Sequence, residues 1–387
     1  MGILALTDVE LVSPEGVIAD GILLIEAGEI IAAGPKYEVP LPAKVRKLSL
    51  PGRSLVPGFI DLHTHGLLGK AAFGSDLAEV IRLLPRYGVT SFLAATLTLP
   101  MSEMHLRLEQ MAEVLRCPPP GAQCKGIHLE GNFLSPKLAG MANPSWLEPL
   151  TLQTLESLQK SAGGFIRMVT LAPEEGETLH AIPSLVDRNV IVSVGHSGAS
   201  FELVEEAVRL GLRHATHTFN GMPAFHHRAP GVVGAVMALP EITAELIADG
   251  HHVHPGAMRM LINAKGVQRV CLVSDSSPLA GLPAGNYAEQ GYNMVLDGDT
   301  CRTPDGRLAG SCSQMDTGFR NLIAMAGLTP PEASSCASRV PAQVLDTGWR
   351  AGLLRPGHCA DLVVLDLSLS VEMTFTKGDV TWSRTSR

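Results

Sequence analysis

The chain has 387 residues, 45% of them hydrophobic and 18% charged, with a formal net charge of −8 at neutral pH. That length and apolar content can bury a large core without disulfide or structural-metal staples. The acidic balance and the scatter of Lys and Arg argue against nucleic acid as a partner, and no apolar run reaches membrane-spanning length, so no membrane role is expected. Met1 is followed by an apolar pentapeptide and then acidic residues, without the basic start and small-residue cleavage site of a signal peptide. Seven cysteines, Cys117, Cys124, Cys271, Cys301, Cys312, Cys336 and Cys359, form no Cys-x-x-Cys pair. Their odd number fits reduced thiols, and a cytoplasmic location is expected.

From residue 1 to 54, short apolar runs alternate with Gly and Pro turns, as in Gly21 to Glu26 and Glu29 to Gly34, the pattern of β-hairpins. The same texture returns after residue 345, in Asp361 to Asp366 and in Val371 to Thr376 ahead of a Lys377-Gly378-Asp379 turn. The two ends are expected to pair into one discontinuous β-sandwich domain, residues 1–54 and 345–387. Between them, over residues 55–344, the rhythm becomes strand then helix. Strands are expected at Gly58 to His63, Ser91 to Thr96, Gly126 to Glu130, Ile166 to Leu171, Val190 to Gly195, His214 to Phe219, Ala244 to Asp249 and Val270 to Asp275. Helices are expected at Leu77 to Tyr87, with Ser75 or Asp76 as cap, and at Glu103 to Leu115, Glu202 to Leu210 and Pro255 to Ala264. Eight strands alternating with helices predict an α/β fold, a closed (β/α)8 TIM-like barrel. A doubly wound open sheet is the alternative, but its Gly-x-Gly-x-x-Gly turn after the first strand is missing.

Six residues, His63, His65, Glu130, His196, His217 and Asp275, each fall at the downstream end of one of these apolar runs. In a (β/α)8 barrel that end carries the catalytic groups. Imidazole nitrogens and carboxylate oxygens are natural ligands of a divalent transition metal, so the set points to metal-assisted hydrolysis. The two-residue spacing of His63 and His65 places both imidazoles on one side of an extended backbone. Singly, each residue has an ordinary role: Glu130 a loop carboxylate, His196 and His217 hydrogen-bonded core histidines, Asp275 a helix cap. Their shared position favours one site. Within it, Asp275 is the expected proton acceptor from an attacking water and the donor to a leaving amine, which departs badly unless protonated.

The stretches Pro57 to Gly66, His128-Leu129-Glu130-Gly131, Gly195-His196-Ser197, His217 to Met222 and Ser274-Asp275 together resemble the N-acetylglucosamine-6-phosphate deacetylase family of the amidohydrolase superfamily. His226 to Gly231, Asp249 to Pro255, Leu308 to Ser311 and Gly357 to Val364 extend the resemblance along nearly the whole chain. It implies a barrel flanked by a small β-sandwich from both termini, with Glu130, His196 and His217 holding the principal divalent metal. His63 and His65 are retained, so the resemblance implies one or two ions per subunit, with Glu130 as the bridge if there are two. Zinc is the first expectation, and iron, cobalt or manganese suits the same donors. The fourth strand offers no lysine, unlike relatives that bridge two metals through a carboxylated lysine. The resemblance further implies Asn220, Gly221, His252 and Met315 as substrate-binding residues. It also implies a homodimer in which Arg228 reaches the phosphate bound by the neighbouring subunit.

The implied activity is hydrolysis of the acetamide of N-acetylglucosamine 6-phosphate to glucosamine 6-phosphate and acetate, in amino-sugar catabolism. Four departures fall on the substrate rim. Asn132 stands where the family commonly has proline, Ala142 where it has a sugar-binding histidine, and Ala229 where it has glutamate. Ser276-Ser277-Pro278 replaces an Ala-rich turn. Deacetylation of N-acetylgalactosamine 6-phosphate or another N-acyl amino compound therefore stays open, as, more remotely, does a non-catalytic metal- or ligand-binding scaffold.

Overall fold

A computed structural model describes residues 2–289 and 292–384 of the chain. Eight strands form one sheet in chain order: β1 (Phe59–Thr64), β2 (Val89–Ala95), β3 (Gln123–Glu130), β4 (Ile166–Leu171), β5 (Ile191–Val194), β6 (His214–Ala215), β7 (Thr243–Ile247) and β8 (Val270–Val273). Each pairs in parallel with the next. The ends of the sheet meet: the Asp275 N–H donates to the His63 carbonyl at 2.8 Å, and Thr64 and Ser276 form a parallel bridge. Ser274 seals the seam, its N–H donating to Asp61 Oδ1 at 3.1 Å. Burial pushes the Asp61 carboxyl up to about 6. The result is the expected (β/α)8 barrel.

Several strands stop earlier than their apolar runs. β5 ends at Val194, β6 at Ala215 and β8 at Val273 because the residues that follow leave the extended region. His196, His217 and Asp275 all have positive φ, at 47°, 28° and 47°. Hydropathy carries no information about that sign, so an apolar run overestimates the strand. The helix expected over Leu77 to Tyr87 is α-helical for Leu77–Leu83 and tightens to a 3-10 turn at Leu84–Tyr87, where Pro85 has no N–H to give. Asp76 occupies its cap position without a capping hydrogen bond and lies instead 3.6 Å from Lys70 Nζ. The other expected helices span Met101–Arg116, Phe201–Leu210 and Pro255–Lys265.

Strands from both ends of the chain build a separate mixed sheet. Its order is Asp379–Ser383, Val371–Thr376, Leu362–Leu365, Ser54–Pro57, Leu4–Ser13, Gly16–Glu26, Glu29–Pro35, with Arg46–Ser49 also beside Leu4–Ser13. Leu362–Leu365 runs antiparallel to Ser54–Pro57, the register that ties the two termini together. The chain passes from that sheet into β1 at Gly58, where a Cβ would come within 2.1 Å of the Thr90 hydroxyl, so only glycine fits.

Side chains facing into the barrel, among them Ile60, Leu62, Leu93, Met168, Ile247 and Val273, pack on Val340, Ala342 and Leu345. The helix Val340–Val344 thus plugs the barrel at the end opposite the rim residues. After β8 the chain adds four antiparallel strands that the apolar pattern did not announce: Gly285–Glu289, Tyr292–Leu296, Thr300–Arg302 and Leu308–Ser311. Met294 and Leu296 are buried there while Asn293 and Val295 face out, a two-residue alternation too short to stand out among the turn residues around it.

Candidate active site

At the carboxyl ends of the strands, the turns after β5, β6 and β8 bring buried side chains to one point. His196 Nε2 and His217 Nε2 lie 3.0 Å apart, and Glu130 Oε1 is 3.3 Å from the first and 3.1 Å from the second. On the other side of the same carboxylate, Glu130 Oε2 lies 3.1 Å from His63 Nε2 and 3.2 Å from His65 Nε2. Those two nitrogens are 3.2 Å apart, and Asp275 Oδ1 is 3.5 Å from His63 and 3.2 Å from His65. Two groups of donors result, Glu130 with His196 and His217, and His63 with His65 and Asp275, each compact enough to hold a metal ion. Glu130 offers one oxygen to each group.

The donor chemistry fits a cation. Imidazole nitrogens facing one another at about 3 Å, among carboxylate oxygens and away from water, need positive charge between them, from a proton or a metal. The same electrostatics governs the protonation of the cluster. Burial opposes charge on His63, but the carboxylates of Glu130, Asp275 and Glu245 outweigh it and push the imidazole well above its usual value. Burial is likewise overcome at His65, which Asp275 and Glu130 raise to about 9. Burial would raise Glu130, yet His63, His196 and His217 hold its carboxyl well below the usual range. Asp275 is kept below that range against burial by His63 and His65.

The site is braced from behind. His196 Nδ1 donates to the Leu138 carbonyl at 2.8 Å, which turns Nε2 toward Glu130. Gly221, with φ at 62°, packs on that ring: a Cβ there would stand 2.7 Å from His196 Nδ1. Glu245, fully buried in β7, accepts from His63 Nδ1 at 3.0 Å, from His214 Nε2 at 3.1 Å and from the His217 N–H at 3.0 Å. His128, also on β3, bridges the Leu62 carbonyl and the Thr170 hydroxyl, and burial lowers its imidazole to about 3, so it stays neutral. Glu245, His214 and His128 were not among the expected site residues. Glu245 had a legible signal, a lone acid inside the apolar run Thr243 to Ile247; His128 had only its place two residues before Glu130.

The donors open onto a cavity of about 210 Å³, lined among others by His65, Glu130, His196, His217, Asp275 and His252. Asn220 and Gly221 also line it. Asp249 holds His252 through a 2.6 Å contact; burial opposes charge on both, but the pair raises the imidazole and lowers the carboxyl. Much of the opposite wall is apolar, formed by Leu134, Met141, Ala142, Met294 and Leu308, so the four-stranded addition after β8 roofs the pocket. Asn132 is buried beneath, its amide donating to the carbonyls of Leu99 and Trp146. Two expected substrate residues lie elsewhere. Arg228 is exposed on its loop, 2.9 Å from His227 Nε2 and outside the pocket lining of its own chain. Met315 is fully buried in the main apolar core.

Residues 54–383 match the Amidohydrolase family. N-acetylglucosamine-6-phosphate deacetylase of Bacillus subtilis (strain 168) is 35% identical over 385 residues, which cover 97% of this chain and 96% of that protein. N-acetylgalactosamine-6-phosphate deacetylase of Escherichia coli O157:H7 is 36% identical over 374 residues, covering 96% and 97%. A solved structure of a mutant N-acetyl-D-glucosamine-6-phosphate deacetylase from Mycobacterium smegmatis, in complex with N-acetyl-D-glucosamine-6-phosphate, aligns with a TM-score of 0.92 and 28% identity. That alignment covers 99% of this chain and 100% of that one. With the family match running over most of its length and relatives at this identity covering nearly all of it, the chain belongs to the amidohydrolase family.

Proposed function

We propose that this chain is a metal-dependent deacetylase of an N-acetylated amino-sugar 6-phosphate, with N-acetylglucosamine 6-phosphate as its substrate. The observation that carries the reading is the convergence of Glu130, His196, His217, His63, His65 and Asp275 in one cluster that opens onto a cavity at the carboxyl end of the barrel. Glu130, His196 and His217 would hold the principal divalent ion, and His63 and His65 a second one, with Glu130 shared. Such an ion, zinc being the first candidate, supplies Lewis acidity that makes water a nucleophile near neutral pH and polarises an amide carbonyl.

The chain's own groups do the rest. Asp275 is held ionised beside the histidines, so it takes the proton of the attacking water and returns it to the amide nitrogen, which then leaves as a neutral amine. The Asp249 contact raises the His252 imidazole against burial, favouring the protonated form that can donate to the sugar or to the developing oxyanion. Asn220 and Gly221 shape the ligand side of the pocket. Arg228, exposed and outside the pocket of its own chain, would serve the phosphate of a second subunit in a homodimer.

A second reading, the galacto epimer as substrate, is favoured by one observation: the N-acetylgalactosamine-6-phosphate deacetylase of E. coli matches this chain as well as the gluco relative does. Acetate release from the two epimers and from unphosphorylated N-acetylglucosamine separates the possibilities. The proposal expects the phosphorylated gluco compound to lead by at least about tenfold in kcat/KM. A lead for the galacto compound would move the assignment to the epimer. No acetate from any acylated sugar by metal-loaded protein would leave a binding scaffold.

A further inference from the structure

A second cavity, of about 700 Å³, opens at the amino-terminal end of the barrel. It shares no lining residue with the catalytic pocket. Its walls come from the starts of β5, β6 and β7, the turn before β8, and the segment Ser335 to Val344 that plugs the barrel. We propose that this cavity is a ligand site for a small hydroxylated phosphate monoester.

Arg213, Arg269 and Arg339 line the cavity against a single acid, Glu241, in a molecule whose net charge is −8. Many arginines elsewhere pair with carboxylates, as Arg53 does with Glu372 and Arg320 with Asp316. Neither Arg269 nor Arg339 has a side-chain hydrogen bond or ion pair among the described residues, and Arg213 donates only to the carbonyls of Val208 and Leu212. Glu241 pairs with none of the three at ion-pair distance. Guanidinium groups left without a carboxylate in one concavity focus a positive field and present planar forks suited to phosphate. The excess of positive over negative lining groups suits a dianion better than a monocarboxylate.

Polar side chains line the cavity beside the arginines. Asn189, Gln268 and Gln343 bring amides able to donate and accept, as hydroxyls require. The wall that carries Arg339 is a π-helical turn, Ser335–Arg339, a widened backbone often found at functional sites. A compact sugar phosphate matches the charge and the hydroxyl partners, and the cavity has room for it. The assignment is independent of which amide the catalytic pocket hydrolyses.

Calorimetric titration of the metal-loaded protein with glucose 6-phosphate, which has no acetamide, tests it. Expected is a binding event that survives Arg228→Ala and weakens at least about tenfold in Arg269→Ala/Arg339→Ala, with deacetylation kcat and KM unchanged in the double variant. Hydrogen exchange on the unaltered protein gives an independent readout: the ligand should protect residues 335–344. Inorganic phosphate in a parallel titration should bind more weakly, since it offers the amides no sugar hydroxyls. Binding untouched by the double variant, or the lack of any protection at 335–344, would overturn the proposal. Binding of inorganic phosphate as tightly as of the sugar phosphate would overturn the ligand class.

Discussion

Glu245 is fully buried and grips His63, His214 and the backbone N–H before the His217 side chain at once, so the orientation of His63 depends on a carboxylate two shells from any substrate. Burial acts to raise its carboxyl, but His63 and His214 hold it well below the usual range, and it stays an acceptor. Glu245→Gln keeps the size and turns one accepting oxygen into an NH2, leaving a buried donor without a partner. Metal affinity is expected to fall about 10- to 100-fold, the usual cost of losing a residue behind the ligands, with the circular dichroism spectrum unchanged. Unaltered affinity in a metal-competition titration would deny Glu245 that role. Asp275→Asn makes the complementary test. It removes the proton acceptor while leaving Glu130, His196 and His217 in place, so bound metal should persist while kcat falls by about 10²- to 10⁴-fold. A variant that turned over normally would take Asp275 out of the mechanism.

The elements that deliver these side chains are strands that end in a left-handed turn. Positive φ at His196, His217 and Asp275 swings each side chain off the strand direction, the two histidines toward Glu130 and Asp275 toward His63 and His65, a local cost accepted where the surrounding structure fixes the geometry. Gly221 belongs to the same device. Gly221→Ala would set a methyl against the His196 ring and strain a backbone at φ 62°, so both metal binding and stability should drop, the latter by about 1–3 kcal/mol. Retained metal stoichiometry and an unchanged melting temperature would show that the ring tolerates the contact. Ser200→Ala serves as the contrasting substitution. Ser200 caps the helix Phe201–Leu210 by accepting from the Leu203 N–H, and its loss should cost about 1 kcal/mol without altering kcat.

The sequence was most legible at this scale. β4 runs from Ile166 to Leu171 as its apolar run predicts, because a buried parallel strand is written as a continuous hydrophobic stretch. The turns were not legible, since backbone handedness leaves no trace in hydropathy. Nor was the roof after β8, whose short strands alternate within a loop-like composition. The six rim residues could be picked out because barrel chemistry gathers at strand ends. Glu245 and His214 sit deeper in the barrel and reach the site only through hydrogen bonds that a linear pattern cannot show.

For the whole molecule, the cluster couples protonation, metal binding and folding. The His65 imidazole is raised from 6.5 to about 9, so its charge stabilises the metal-free fold fully below about pH 6.5, and that contribution is lost as pH rises through about 9. The metal-free protein should therefore melt at progressively lower temperature between pH 7 and pH 10. The metal-loaded protein, in which the ion supplies the positive charge, should hold its melting temperature over that range and exceed the metal-free form throughout. Equal pH profiles for the two forms would break the link between these histidines and a metal. The measurement that reaches the central claim most directly is acetate release from N-acetylglucosamine 6-phosphate by chelator-stripped protein, followed as divalent metal is restored equivalent by equivalent. Turnover is expected to be negligible without metal and to rise to saturation at one or two ions per chain. Full activity in rigorously metal-free protein would contradict that claim.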